Sequence, residues 1–346
     1  MIVLVSSDET AGALALLEET VPAGPEPVQL ETHGSHRMVC GVRLGPRQRP
    51  MRGVAVALVL ILNACTSSGS GSSSGSAAAS DSATAASESA QQPTELSGMF
   101  DVGGYELYLE CRGPSDGPIT LVYLHGMGGD HASAGAVPEG LTAHVRWCAY
   151  DRANAGRSDR IEDRRLGSAF ANELHALLAS AAMEPPYVLV GASHGGLIAV
   201  EYAALYPDEV AGMVLLDGTL PHLREIYALI PEEDRTAEIA ATEANPENVQ
   251  AFATIDEAGA MLDDLPDVPV TFMLAIPPVP EEPPSWPIDE IRALDAQRAA
   301  EFVSRFSEGR LVEVSSPHYM EPAVPDEIVT EIDRVLDRLR DRQGSG

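Results

Sequence analysis

Segments rich in apolar residues recur along the chain after residue 100 and alternate with segments of helical spacing. A short apolar run fits a strand that is buried on both faces, as in a parallel sheet. Six such runs are predicted strands: 119–124, 145–150, 187–190, 210–216, 270–276 and 311–315. Between them, apolar residues recur on one helix face, as from Phe170 to Ala181. Strands that alternate with helices predict an α/β domain with a mostly parallel sheet covered on both faces.

Three further segments complete this pattern. Residues 105–111 alternate between apolar and polar side chains after the Gly103-Gly104 turn, which predicts an opening antiparallel hairpin. Residues 219–266 replace the strand–helix alternation with helical segments, and we expect them to form a cap. Apolar residues from Ile328 to Leu339 predict a C-terminal helix that closes the sheet.

Polar residues stand where the predicted strands end, at His125, Asp151, Ser193 and Asp217. Ligands of parallel α/β sheets bind at the carboxyl ends of the strands, so we expect a site there. Ser193 lies in the sequence GASHGG, residues 191–196, between an apolar run and a helical pattern. This arrangement is that of a nucleophile elbow, in which the glycines lack the Cβ atoms that would collide in a tight turn.

A serine needs a base to take its proton, and histidine is the usual base near neutral pH. His318 follows the last predicted strand, so we expect it to be this base. We expect Asp217 to be the acid that orients the imidazole. Glu281 or Glu282, after the strand 270–276, is the alternative acid.

The negative charge that develops on a substrate oxygen needs hydrogen-bond donors. We expect these to be the backbone N–H groups of Met127, which follows His125-Gly126, and of His194, which follows the serine. Asp151 and Arg152 are interpreted as a structural pair that braces the loop beside the pocket.

Five motifs together carry a family resemblance: HGMGG, YDRANAGRSD, GASHGG, LYPDEVAGMVLLD and SSPHYM. In this order and spacing, across about residues 94–342, the chain resembles the α/β-hydrolase superfamily. The resemblance implies that fold and a catalytic order of serine, acid and histidine. The YDRANAGRS segment and the paired cysteines are similar to those of exported actinobacterial-type hydrolases.

The first 93 residues differ from the rest. Residues 1–50 have no sustained periodicity and are a doubtful or disordered extension, so translation starts at Met1 or Met51. Residues 51–65 resemble a lipoprotein signal peptide, a charged start and a short apolar run that ends at Cys65, which would be lipidated. Residues 66–93 are a Ser/Gly/Ala-rich linker, and the hydrolase domain is expected at 94–346.

The chain has four cysteines. Cys40 lies in the doubtful extension and Cys65 is the anchor candidate, which leaves Cys111 and Cys148 at strand-like positions. In an exported protein such a pair suggests a disulfide, with two buried free thiols as the alternative.

The formal net charge of −30 argues against nucleic acid or an anionic membrane surface as a partner. We therefore expect membrane contact through the lipid anchor alone. The predicted cap contains eleven acidic residues against Arg224 and Arg235, which disfavours anionic substrates. No metal cluster or phosphate loop is visible in the sequence, so no cofactor is predicted, and we expect a monomer.

These observations predict an exported serine hydrolase that cleaves a neutral carboxylic ester through an acyl-serine. An aminopeptidase or amidase, or a cofactor-free perhydrolase, would use the same three residues. A non-catalytic surface-binding protein on a hydrolase scaffold is the alternative from another class.

Overall fold

The computed structural model describes residues 95–279, 282–283 and 285–344. The expected extension, signal peptide, lipidated Cys65 and linker all lie outside the described residues, and so does Glu281. Within the described part of the chain, every helix is too short or too polar to span a bilayer.

The described residues form one eight-stranded sheet in the order β1-β2-β4-β3-β5-β6-β7-β8. Its strands are β1 Leu96–Asp101, β2 Glu106–Arg112, β3 Thr120–Leu124, β4 Arg146–Tyr150, β5 Tyr187–Ala192, β6 Val210–Leu216, β7 Val270–Ala275 and β8 Gly309–Val314. The first two strands form the predicted antiparallel hairpin, and β3 to β8 run parallel. The predicted α/β-hydrolase fold is confirmed.

Helices cover both faces of this sheet. They are α1 Val137–Leu141, α2 Gly167–Ser180, α3 His194–Leu205, α4 Leu223–Leu229, α5 Glu232–Glu243, α6 Ala251–Ala260, α7 Ile288–Val303 and α8 Pro325–Gly344. Apolar residues of α2, α3 and α7 pack in one buried cluster, and those of α1 and α8 pack in a second cluster on the opposite face. Helices α4 to α6 stand between β6 and β7, in the segment where the sequence predicts the cap.

Two features differ from the sequence expectations. Helix α7 was not predicted, because its buried residues are few and charged residues separate them. Tyr108 of β2 is buried although it falls in the polar phase of the alternation. The reason is that loop residues also cover this face: the Tyr108 ring packs against His131 and lies under the guanidinium of Arg157.

A disulfide joins Cys111 and Cys148. These residues lie directly opposite each other in the antiparallel pairing of β2 with β4. Both are fully buried. The pairing predicted from the sequence is therefore present, and the alternative of two free thiols is wrong.

Candidate active site

Ser193 occupies a sharp turn between β5 and α3. Its backbone has φ 48° and ψ −120°, a region that is costly for a residue with a side chain. The chain is close-packed here, since a Cβ at Gly195 would overlap the carbonyl oxygen of Leu124. A Cβ at Gly191 would lie 2.7 Å from the oxygen of Gly195. The turn therefore needs glycines around the serine, as the motif predicts.

His318 and Asp217 lie beside this serine. The Nε2 atom of His318 is 2.9 Å from Ser193 Oγ, and its Nδ1 atom is 2.6 Å from Asp217 Oδ2. Asp217 follows β6 directly and His318 lies on the loop after β8, so the sheet brings both to its carboxyl edge. The three side chains that the sequence singled out thus form one continuous hydrogen-bonded row.

Asp217 is itself held in place. Its backbone has φ 43°, its N–H donates to the carbonyl of Met273 at 2.8 Å, and its Oδ1 accepts the N–H of Ala275 at 2.9 Å. One carboxylate oxygen is thus bound to β7, and the other faces the imidazole. The alternative acid Glu282 lies 4.0 Å from Arg292.

The row has a defined direction for proton transfer. An ionised carboxylate only accepts hydrogen bonds, so His318 carries its hydrogen on Nδ1 and presents Nε2 as an acceptor to the serine hydroxyl. About a third of the His318 side chain is exposed. The arrangement is able to deprotonate Ser193 and to return that proton to a leaving group.

The loop after β3 lies against the serine. A Cβ at Gly126 would come within 3.4 Å of the Ser193 Cβ atom. Met127 follows in this loop, and His194 is the first residue of α3, where backbone N–H groups have no partner within the helix. The His194 ring packs edge-on against Phe170. Burial and the nearby charge of Arg152 lower the pKa of His194 to about 3, so its ring is neutral.

Asp151 and Arg152 both brace the chain after β3, as expected, and each does so through its own partners. Asp151 accepts hydrogen bonds from the backbone N–H groups of His131, at 2.6 Å, and Arg157, at 2.7 Å. The guanidinium of Arg152 instead pairs with Glu247, with Nε 2.6 Å from Oε2.

Glu247 is the residue that the sequence analysis missed. It is fully buried between α5 and α6. Burial raises the pKa of this carboxyl, but the charge of Arg152 and its hydrogen bonds outweigh burial and hold the pKa well below its usual range. Nothing in the local sequence sets Glu247 apart from the other acidic residues of the cap. The sequence feature that pointed to a residue such as Glu247 was Arg152, because a buried guanidinium requires an anionic partner.

The described residues contain no group of three or more His, Cys, Asp or Glu side chains that could hold a metal ion. His125 is the first residue of the loop after β3, and burial and the charge of Arg152 lower its pKa to about 4. This imidazole is therefore neutral, and it serves as a structural hydrogen-bonding group.

Residues 119–303, more than half of the chain, match the family model described as alpha/beta hydrolase fold. The chain is 29% identical over 134 residues to the uncharacterized protein YqjL of Bacillus subtilis, across 39% of this chain and 52% of that protein. It is 34% identical over 115 residues to the lipase LipV of Mycobacterium tuberculosis, across 32% of this chain and 41% of that protein. These matches span about half of each curated relative.

Among solved structures, that of E-2-(acetamidomethylene)succinate hydrolase superposes with a TM-score of 0.54 at 19% identity. The superposition covers 70% of this chain and all of that one. At this identity the likeness establishes the common fold, and the geometry around Ser193 has to carry any statement about chemistry.

Proposed function

This chain belongs to the α/β-hydrolase family and is a hydrolase, and from that premise we propose that it cleaves neutral carboxylic esters through an acyl-serine intermediate. The observation that carries the proposal is the row of Ser193, His318 and Asp217, with contacts of 2.9 and 2.6 Å. A serine in a strained turn that also contacts a carboxylate-bound imidazole has the arrangement of an activated nucleophile.

The reaction follows from this geometry. His318 Nε2 takes the proton of Ser193 while Oγ attacks the ester carbonyl. The carbonyl π electrons move to the oxygen, where the N–H groups of Met127 and His194 stabilise the charge. As the tetrahedral intermediate collapses, the bond to the alcohol oxygen breaks and His318 donates its proton to that oxygen. Water then attacks the acyl-serine with His318 as base, which releases the acid and restores the serine.

Two observations favour a neutral ester as the substrate. The cap segment 219–266 carries eleven acidic residues and two arginines; even with Glu247 buried against Arg152, this excess of negative charge disfavours anionic substrates. The curated relative LipV is named a lipase, although the match spans only 41% of it. An aminopeptidase or amidase would use the same three side chains, so a substrate panel has to decide between an ester and an amide bond.

Labelling with a fluorophosphonate probe tests the nucleophile. We expect the wild type to be labelled and Ser193→Ala and His318→Ala to lose labelling. Ser180→Ala, at the exposed end of α2, and His144→Ala, in a half-exposed pair with Asp333, are the matched controls and should label normally. Labelling that persists in Ser193→Ala would overturn the site. A wild type that resists the probe would favour the non-catalytic binding protein.

A substrate panel tests the scissile bond. We expect p-nitrophenyl esters of uncharged acids to be cleaved with a higher kcat/KM than aminoacyl anilides, and esters of dicarboxylic acids to be poor substrates. A higher kcat/KM on the anilides would reassign the protein to the amidases. Perhydrolase activity would appear as peroxyacid formation when hydrogen peroxide replaces water as the attacking nucleophile.

We also propose that the protein is exported and anchored through a lipid on Cys65, which rests on the sequence of residues 51–65 alone. Expression in a bacterial host should give a membrane-associated product whose processing is blocked by globomycin. Cys65→Ser should abolish this processing. Cys40→Ser, which changes a cysteine outside the lipobox, is the control.

A further inference from the structure

The peptide group between Gly126 and Met127 is held by three donors to its carbonyl oxygen. This oxygen accepts hydrogen bonds from Arg152 Nη2 at 2.9 Å, His125 Nδ1 at 2.7 Å and the N–H of Gly129 at 3.1 Å. The Nε2 atom of His125 accepts the backbone N–H of Arg152 at 3.3 Å, so Nδ1 carries the hydrogen. Because this peptide is planar and trans, holding its C=O also sets the direction of the Met127 N–H, which points the opposite way.

Arg152 reaches further into the same loop. Its Nη1 atom donates to the carbonyl of His125 at 2.6 Å, so one guanidinium binds two consecutive carbonyl groups. Arg152 is fully buried, and it also donates to Glu247, with Nε 2.6 Å from Oε2 and Nη2 3.0 Å from Oε1. The guanidinium is thus oriented by the carboxylate, and the loop is oriented by the guanidinium.

Glu247 also binds the loop directly. Its Oε1 atom accepts the N–H of Gly128 at 2.6 Å. The backbone carbonyl of Glu247 accepts Arg165 Nη2 at 3.0 Å, which ties this part of the cap segment to the chain ahead of α2. One carboxylate from the segment between α5 and α6 therefore holds Gly128 directly and Gly126 through Arg152.

We propose that Arg152 and Glu247 are positioning residues that aim the Met127 N–H at the oxyanion formed on the substrate. The proposal rests on the proposed function, since it concerns the same reaction. Neither side chain belongs to the row of Ser193, His318 and Asp217, and the contacts within that row do not involve them. When the pair is broken, the Gly126 carbonyl keeps the donors from His125 Nδ1 and the Gly129 N–H but loses the guanidinium, so the peptide between residues 126 and 127 is held less firmly. Transition-state stabilisation falls while ground-state binding of the ester is kept.

The test compares Glu247→Gln and Arg152→Lys with the wild type. We expect kcat on a p-nitrophenyl ester to fall by about 10- to 100-fold, somewhat less than the loss of a whole oxyanion donor, with KM within about threefold. The Ki of a trifluoromethyl ketone, whose hemiketal oxygen occupies the oxyanion position, should rise by the same factor as kcat/KM falls. All rates are normalised to the folded fraction measured by circular dichroism.

Glu331→Gln is the matched control. Glu331 on α8 is a buried carboxylate whose Oε2 accepts from Arg310 Nε of β8 at 3.1 Å, away from the segments that hold Glu247. We expect it to lower stability without changing kcat or Ki. This comparison separates the effect of losing a buried ion pair from the effect of changing the orientation of the Met127 N–H.

Three outcomes would contradict the proposal. Unchanged kcat and Ki in both variants, or equal losses in Glu331→Gln, would show that the pair is only structural while ester hydrolysis stands. A rise in KM without a change in kcat would make the pair a substrate-binding feature. A wild type that cleaves neither esters nor amides would overturn the proposed function itself. Should Glu247→Gln not fold, Arg152→Lys alone still distinguishes these outcomes.

Discussion

The Nδ1 atom of His318 lies 2.6 Å from Oδ2 of Asp217, although 101 residues separate them along the chain. Asp217 directly follows β6 and His318 lies after β8, with β7 between those two strands. The Asp217 side chain therefore passes over the end of β7, where Oδ1 accepts the N–H of Ala275 at 2.9 Å. The contact between Asp217 Oδ2 and His318 Nδ1 sets the hydrogen position on the imidazole and leaves Nε2 as the acceptor for Ser193.

Asp217→Asn tests this relationship. An amide at this position can offer a hydrogen to Nδ1 and thereby favour the tautomer that no longer accepts from the serine. We expect kcat to fall by about 10³- to 10⁴-fold with the fold intact. Steady-state kinetics on a p-nitrophenyl ester, with circular dichroism for the fold, measures this.

Glu282→Gln is the control, because Glu282 is the described alternative acid and lies near Arg292. It should retain the wild-type kcat within about twofold, as is usual for partly exposed ion pairs. A large loss in Glu282→Gln together with an active Asp217→Asn would move the acid to the segment after β7.

Glu201→Gln should change how stability depends on pH. Glu201 on α3 is fully buried, and neither of its carboxylate oxygens has a hydrogen-bond partner among the described residues. Burial, and secondarily the charge of Glu257, raises its pKa from 4.5 to about 9. The unfolded chain loses this proton above about pH 4.5 while the folded protein keeps it, so stability falls as the pH rises towards 9. The limit of this slope is about 1.4 kcal/mol per pH unit.

Urea unfolding between pH 5 and 9 measures the effect. We expect the free energy of unfolding of Glu201→Gln to decline less steeply with pH than that of the wild type, and to exceed it at pH 8. The exposed Glu139→Gln variant in α1 is the control and should keep the wild-type slope. Equal slopes for Glu201→Gln and the wild type would show that Glu201 does not retain its proton.

Gly195→Ala should damage the serine turn. The added methyl group would overlap the carbonyl oxygen of Leu124, so β3 and α3 must move apart. We expect a loss of about 1–3 kcal/mol of stability and about a 100-fold lower kcat/KM from the displaced serine. Gly117→Ala, where the nearest atom would be 3.9 Å away, should leave both unchanged. A fully active Gly195→Ala would mean that the turn tolerates a wider spacing.

Removal of the disulfide should lower the free energy of unfolding, because the bridge restricts the conformations of the unfolded chain. The bridge closes a loop between residues 37 apart, which corresponds to about 4 kcal/mol in the chain-entropy description. We expect Cys111→Ala/Cys148→Ala to unfold at a lower urea concentration than the wild type. Dithiothreitol should lower the wild-type midpoint and leave that of the double variant unchanged. A wild-type midpoint that ignores dithiothreitol would contradict this.

The order of strands and helices and the serine turn were predictable from the sequence, because both arise from local rules. Apolar runs predict buried strands whatever the order of the strands in the sheet. The glycines at 191 and 195 are required because a Cβ atom there would collide with the carbonyl oxygens of Gly195 and Leu124. Helix α7 escaped prediction because its buried face consists of four residues among charged ones. Its position depends on packing against the sheet more than on its own pattern.

By itself, the sequence determined the fold class, the serine of the turn and a histidine after the last strand. The tertiary structure decided which carboxylate faces that histidine, since the sequence favoured Asp217 but kept the glutamates after β7 as the alternative until the strand ends are packed. It also decided that a glutamate of the cap segment, 95 residues from Arg152 in sequence, neutralises that arginine beneath the loop of Met127. The physical reason is that a buried charge selects its partner by proximity in the folded core, and no local periodicity encodes that proximity.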